Sequence, residues 1–156
     1  MKLYLVQHGE AVAATEDPMR PLTDQGRADV AELARFLAAA GIGVGRIVHS
    51  DKPRAADTAM MLKDALGNPP LEVMAKGLLP KDSPEPLVDL VGAWQEDTLV
   101  VGHQPLLGRL VSRLVLGAEQ PTLVGVVPGT IVCLSRRGAI GAWFIAWMMP
   151  PELLRR

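Results

Sequence analysis

The sequence predicts an α/β fold: a mostly parallel central sheet, helices on both faces and an antiparallel edge. Three observations carry this. Apolar runs at 2–6 and 98–102 have the length and near-continuous hydrophobicity of buried parallel strands, and 46–50 is a third strand-like run around Ile47-Val48. Segments with apolar residues at helical spacing separate them. The last third changes character. Leu123–Val127, Thr130–Ser135 and Gly141–Met148 are strand-like runs divided by Pro128-Gly129 and Arg136-Arg137-Gly138, and short turns of this kind join antiparallel strands.

The elements follow in order. Residues 2–6 form the first strand, and 9–22 a polar loop with Pro18 and Pro21. Thr23 is an N-cap for a helix over 24–40, with Val30, Leu33, Ala34, Leu37 and Ala38 as its apolar stripe and Gly41 as its stop. A strand at 46–50 leads to a helix over 54–66, which Gly67-Asn68-Pro69-Pro70 ends. Leu71–Met74 is a short strand, and 76–86 a Pro-rich loop. A short helix over 85–94, the strand 98–102 and a helix over 105–116 closed by Gly117 complete the parallel part. Trp143 and Trp147 are four apart, so a regular strand places both on one face, packed on the sheet edge.

Composition narrows the function classes. With 156 residues the chain has the size of one domain, 1–156, able to bury a core without a metal or disulfide staple. A net charge of −1 gives no overall attraction for nucleic acid or an anionic membrane, so any affinity for phosphate must be local. Cys133, the sole cysteine, lies among apolar neighbours and reads as a buried small side chain. The apolar N-terminal run is too short for a secretory signal. The stretch Ala139–Met149 falls short of the roughly 20 residues a spanning helix needs. The expectation is a cytoplasmic protein. No internal repeat, GxxxxGK loop, GxGxxG fingerprint or zinc-spaced cysteine and histidine cluster is visible.

The chemistry concentrates where parallel strands end, the place where open α/β sheets bind ligands. His8 follows the first strand, with Gln7 before it and Gly9 after it. His103 directly follows Leu99-Val100-Val101-Gly102. Ser50-Asp51-Lys52-Pro53-Arg54 leaves the strand at 46–50 and sets Arg54 in the first turn of a helix. Arg20 stands in the loop that leaves the first strand. Two imidazoles and two guanidiniums converging on one crevice suit a phosphoryl group: a histidine can attack it and cations can hold its oxygens. Gly9 removes a side chain where phosphate needs close approach. Singly, each residue also fits a structural role: an oriented histidine at a strand end, or an arginine in a surface ion pair. His49, one residue before Ser50, reads as structural or as part of the pocket rim. A zinc site of His8, His49 and His103 lacks metal-ligand spacing.

In combination, Leu5-Val6-Gln7-His8-Gly9-Glu10, Arg20-Pro21-Leu22-Thr23 with Gly26, Ser50-Asp51-Lys52-Pro53-Arg54-Ala55 with Thr58-Ala59, and Val100-Val101-Gly102-His103-Gln104-Pro105 resemble the histidine phosphatase superfamily. Within it the short phosphohistidine phosphatase branch is the nearest in form. The resemblance covers nearly the whole chain. It implies the three-layer phosphoglycerate mutase-like fold. It makes His8 the nucleophile that carries a transient phosphoryl group, and Arg54 and Arg20 ligands of phosphate oxygens. His103 becomes a second pocket histidine that donates to those oxygens. No metal or organic cofactor is implied. The implied partner is a phosphorylated protein, phosphohistidine foremost, or a small phosphorylated metabolite.

Two departures stand out. The family motif begins with arginine, and here that position is Gln7, which keeps a donor but loses the charge and the fork. The leaving-group acid of larger family members is also missing. Asp82 and Glu85 in the loop before the short helix are the available carboxylates, and neither matches well. Gln7 therefore leaves a second reading open, a catalytically impaired module that binds phosphate or a phosphoprotein.

Overall fold

The computed structural model describes residues 1–138 and 141–156. Its elements in chain order are β1 (Lys2–Gln7), α1 (Asp24–Ala39), β2 (Arg46–Ser50), α2 (Pro53–Lys63), β3 (Leu71–Met74), α3 (Glu85–Ala93), β4 (Thr98–Gly102), α4 (Leu106–Leu116), β5 (Ile131–Arg136) and β6 (Trp143–Met149). Among the described residues these strands form one sheet in the order β3-β2-β4-β1-β5-β6. The pairs β2–β3, β2–β4 and β1–β4 are parallel, and β1–β5 and β5–β6 antiparallel.

Strand alternation sorts the apolar residues into two cores, giving three layers. Leu3, Leu5, Val100, Val132 and Leu134 face α3 and α4. Tyr4, Val6, Leu99, Val101 and Cys133 face α1 and α2. Capping follows the sequence. The Thr23 hydroxyl accepts from the Gly26 N–H at 2.9 Å, and Gly117 closes α4 in the left-handed conformation. Cys133 is fully buried, and burial pushes its thiol up to about 11. No described helix is long and apolar enough to cross a membrane.

Two expectations fail, each for a packing reason. Leu123–Val127 is not a strand. Both edges of β5 are taken, by β1 and β6, so this run cannot form the expected hairpin with β5 across Pro128-Gly129. It is tied to α4 instead: the Ser112 hydroxyl donates to the Pro121 carbonyl and accepts from the Leu123 N–H. The two tryptophans also lie on opposite faces. Trp147 pairs with Cys133 and Ile145 with Leu134, so β6 has one extra residue between them, a bulge. Trp143 therefore packs in the α3–α4 core under the Arg136 guanidinium, while Trp147 packs against Tyr4 and Phe36.

The connections explain where a site can form. The chain leaving β1 goes to α1 on one face, and the chain leaving its neighbour β4 goes to α4 on the other. The carboxyl ends of β1 and β4 thus open a crevice at a topological switch point.

Candidate active site

Register brings the two histidines together. Gln7 pairs with Gly102, so the next residue on each strand, His8 and His103, sits at the same height in adjacent parallel strands. Their rings meet edge to face with centroids 5.0 Å apart.

The backbone around His8 is tightly held. Its N–H donates to the Gly102 carbonyl, and its own carbonyl accepts from Gly129 N–H, which is shared with the Gln7 carbonyl at 3.1 Å each. Gly129 has φ +85°, a conformation that only glycine adopts without strain. Gly9 N–H donates to Thr58 Oγ1, whose hydroxyl donates to the Arg54 carbonyl at 2.7 Å. The Thr58 bridge locks the first turn of α2 onto the end of β1.

The partners of the His8 ring fix its tautomer. Nδ1 lies 2.7 Å from the Gly9 carbonyl, which can only accept, so Nδ1 carries the hydrogen. Nε2 lies 3.3 Å from Arg54 Nε, which can only donate, so Nε2 presents its lone pair. Burial is the main cause that lowers the His8 pKa to about 4, and the charges of Arg54 and Arg20 add to it against the Gly9 hydrogen bond. His8 is therefore a neutral imidazole at pH 7 with Nε2 as its basic nitrogen.

His103 is more deeply buried, at 1 % exposure. Its Nε2 lies 2.9 Å from the Ser50 hydroxyl, which also accepts the Lys52 N–H, while Nδ1 has no partner. Burial first, then His8, Arg54, Lys52 and Arg20, depress its pKa to about 3. Arg20 occupies the left-handed region at φ +47°, and its Nε donates to the Val12 carbonyl. Burial, with the Arg20 charge second, lowers the Arg54 pKa. Among the described residues neither Arg20 nor Arg54 has a carboxylate within ion-pair distance. Cations held together around neutral imidazoles without an acid make a site for an anion.

The structure thus brings His8, Arg54 and His103 into one cluster, with Arg20 close enough for its charge to act on all three. It revises other expectations. A Cβ on Gly9 would meet Val30 Cγ2, the Gly26 carbonyl and Leu22, so this glycine admits helix α1, not phosphate. The Asp82 carboxylate accepts the Gly77 and Leu79 N–H groups and organises its own loop. Glu85 is paired with Arg113 through two hydrogen bonds. His49 is buried, with Nδ1 against the Ser50 carbonyl. Among the described residues no three histidine, cysteine or acidic side chains cluster to hold a metal. Gln7 is 8 % exposed and its Oε1 meets no donor. Sequence reasoning assigned no role to Ser50, Thr58 or Gly129. Thr58 was the most accessible of these, being one helical turn after Arg54.

Comparison with known proteins points the same way. The family model for the histidine phosphatase superfamily (branch 1) matches residues 3–76. The phosphohistidine phosphatase SixA of Escherichia coli (strain K12) is 30% identical over 130 residues, 78% of each chain. The solved structure of the protein histidine phosphatase SixA complexed with tungstate superposes with a TM-score of 0.87 at 26% identity, covering 99% of this chain and 100% of that one. A phosphoserine phosphatase from Entamoeba histolytica in complex with 3-phosphoglyceric acid shares the fold, with a TM-score of 0.74 at 18% identity over 99% of both chains.

Proposed function

Because the chain belongs to the histidine phosphatase superfamily, we propose that it hydrolyses phosphohistidine on a protein through a phosphoryl intermediate on His8 Nε2. One observation carries this reading. Nε2 is a neutral lone pair held against a buried arginine, in a cluster that contains no carboxylate.

The chemistry follows from those groups. Nε2 attacks phosphorus, and the bond between phosphorus and the substrate nitrogen breaks. The electron pair leaves with the substrate ring, which departs as neutral imidazole because its other nitrogen carries a proton. Arg54, with Arg20, holds the phosphoryl oxygens as they gather charge. For His103 to donate from Nδ1, its Nε2 must accept from the Ser50 hydroxyl, and the Lys52 N–H leaves that hydroxyl proton free to do so. Water then attacks phosphorus, the bond to His8 Nε2 breaks, and phosphate departs.

The missing acid supports the choice of substrate. A phosphohistidine ring protonated on its free nitrogen leaves as neutral imidazole, and an imidazole with a reference pKa of about 6.5 takes that proton near neutral pH, so no further acid is needed. An alkoxide is the conjugate base of a group about as weak as water, with a pKa of about 16, and needs a proton as it leaves. Asp82 and Glu85, the candidates for that proton, are committed elsewhere. Gln7 favours the second reading, a binding module, because its buried neutral amide adds no charge to the cluster.

The test compares phosphate release from a phosphohistidine-bearing protein with release from an aryl phosphate, for wild type and His8→Ala. The expected result is preference for phosphohistidine, an acid-labile phosphoenzyme in wild type, and loss of both in the variant. Turnover by His8→Ala within about twofold of wild type would overturn covalent catalysis at His8.

A further inference from the structure

A cavity of about 490 Å³ lies between the N-terminal turn of α4, from the residue after His103 onward, and the irregular 120–126 segment. Both of its walls start at the catalytic cluster. Gln104 and Pro105 directly follow His103. Val126 is three residues before Gly129, whose N–H holds the His8 carbonyl, so at most about 11 Å of chain separates them. A group bound in the groove is thus within reach of a phosphoryl group on His8.

We propose that this groove is the subsite for the leaving-group side of the substrate, where an apolar side chain next to the phosphorylated histidine of a polypeptide is seated. The inference rests on the phosphohistidine reading above. Three features select that occupant.

The first is surface chemistry. Pro105, Gly108, Val124 and Val126 supply an apolar lining. Such a lining favours an aliphatic or aromatic side chain.

The second is charge. The one ionised group in the lining, Arg109, is already paired with Glu119 at 2.7 Å and donates to the Asp82 carbonyl. The Gln104 side-chain carbonyl is occupied by the Gly108 N–H. The lining thus offers no unpaired charge to a second phosphate or a carboxylate, so a small anionic metabolite finds no counter-ion here.

The third is the backbone. The 123–127 run has the sequence of a strand and no ladder partner in the sheet. Among the described residues, the backbone groups of Val124, Gly125 and Val126 form no hydrogen bond within the protein. A bound polypeptide can supply main-chain partners, as in strand addition, and a metabolite cannot.

The test uses two peptides of equal length phosphorylated on a single histidine, one flanked by leucines and one by glycines, with N-phosphoimidazole as the reference. In wild type, kcat/KM for the leucine peptide exceeds that for the glycine peptide by about tenfold or more, the scale of one buried aliphatic side chain. Thr122→Trp fills the groove from its exposed rim, and Val126→Asp puts a charge in its wall. Either change brings the ratio of the two peptides to within about twofold. Equal wild-type rates on the peptides, or a preference that survives both substitutions, overturns the groove while hydrolysis of N-phosphoimidazole keeps the parent reading intact. Failure to hydrolyse N-phosphoimidazole at all overturns the parent reading and this inference with it.

Discussion

The Nε of Arg54 donates to His8 Nε2 across 3.3 Å, from the first turn of one helix to the end of a strand 46 residues earlier. This contact leaves Nε2 as the basic nitrogen of the ring and places a cation beside it. It also links two motifs that no local pattern connects. The contact is made by Nε, which lysine lacks, and leaves the two terminal nitrogens of the fork for phosphoryl oxygens. Arg54→Lys should lower kcat/KM on a phosphohistidine protein by about 10- to 150-fold, the equivalent of losing a charged hydrogen bond of about 1.5–3 kcal/mol. Steady-state kinetics with a thermal melt as the folding control checks this. An unchanged kcat/KM would remove Arg54 from the phosphoryl site.

The low pKa values of His8 and His103 make acid a stability variable. In the unfolded chain both imidazoles take a proton near 6.5. In the folded protein they resist it until about 4 and about 3, chiefly because both are buried. Between 6.5 and these values the unfolded state binds more protons, so stability rises with pH across that window. The contribution is full above about 6.5 and is lost as the pH falls toward 4 and below. Melting temperature should drop on acidification from 6.5 to 4, and His103→Asn should flatten the slope. In NMR titrations neither ring should have a midpoint near 6.5, and tungstate should raise both by neutralising the surrounding cations. Midpoints near 6.5 in the free protein would contradict the buried, cation-flanked site.

The parallel half of the fold was readable because strands β1 and β4 are nearly all apolar and β1, β2 and β4 are each followed by a segment with apolar residues at helical spacing. The histidines were readable because they stand where those strands stop. Other features depend on contacts far apart in sequence. The pattern at 123–127 is that of a strand, but both edges of β5 are occupied and Ser112 ties the segment to α4 instead. Spacing puts Trp143 and Trp147 on one face, and a single extra residue in β6 separates them. Gly9 looked like a phosphate contact because its neighbour α1 cannot be inferred from the motif. Ser50 and Thr58 reach the site through partners 53 and 49 residues away.

Two glycines test how the packing of α1 supports the site. A Cβ on Gly26 would overlap the Glu10 carbonyl oxygen, which is backbone and cannot swing aside, whereas a Cβ on Gly92 in α3 would meet nothing within 4 Å. Alanine in a helix is favoured over glycine by about 1 kcal/mol. At Gly92 this gain should appear as a higher melting temperature. At Gly26 overpacking of about 1–3 kcal/mol opposes it. Gly26→Ala should therefore melt lower than wild type and lose activity, because Glu10 adjoins Gly9 and the His8 contact. A Gly26→Ala protein at least as stable and active as wild type would show that the turn after β1 relaxes freely.

Gln7 decides between a weakened clamp and a different pocket. Its side chain is buried one residue before His8, and its Oε1 has no donor. A buried unpaired carbonyl costs about 1–3 kcal/mol, so this side chain is retained at a cost to stability. Gln7→Met removes the orphan oxygen without adding charge. It should raise the melting temperature and leave kcat/KM no higher. Gln7→Arg replaces the acceptor with charged donors beside the nucleophile. If the clamp is merely weakened, the difference between a charged and a neutral hydrogen bond, about 1–2 kcal/mol, should raise kcat/KM by about 5- to 30-fold. The two variants separate relief of burial from added charge, because only the second acts on the phosphoryl group. Both are measured at one pH and salt concentration on the phosphohistidine protein. A well-folded Gln7→Arg protein with no gain would mean that the pocket is shaped around the amide, and would favour a phosphoprotein-binding module over a phosphatase.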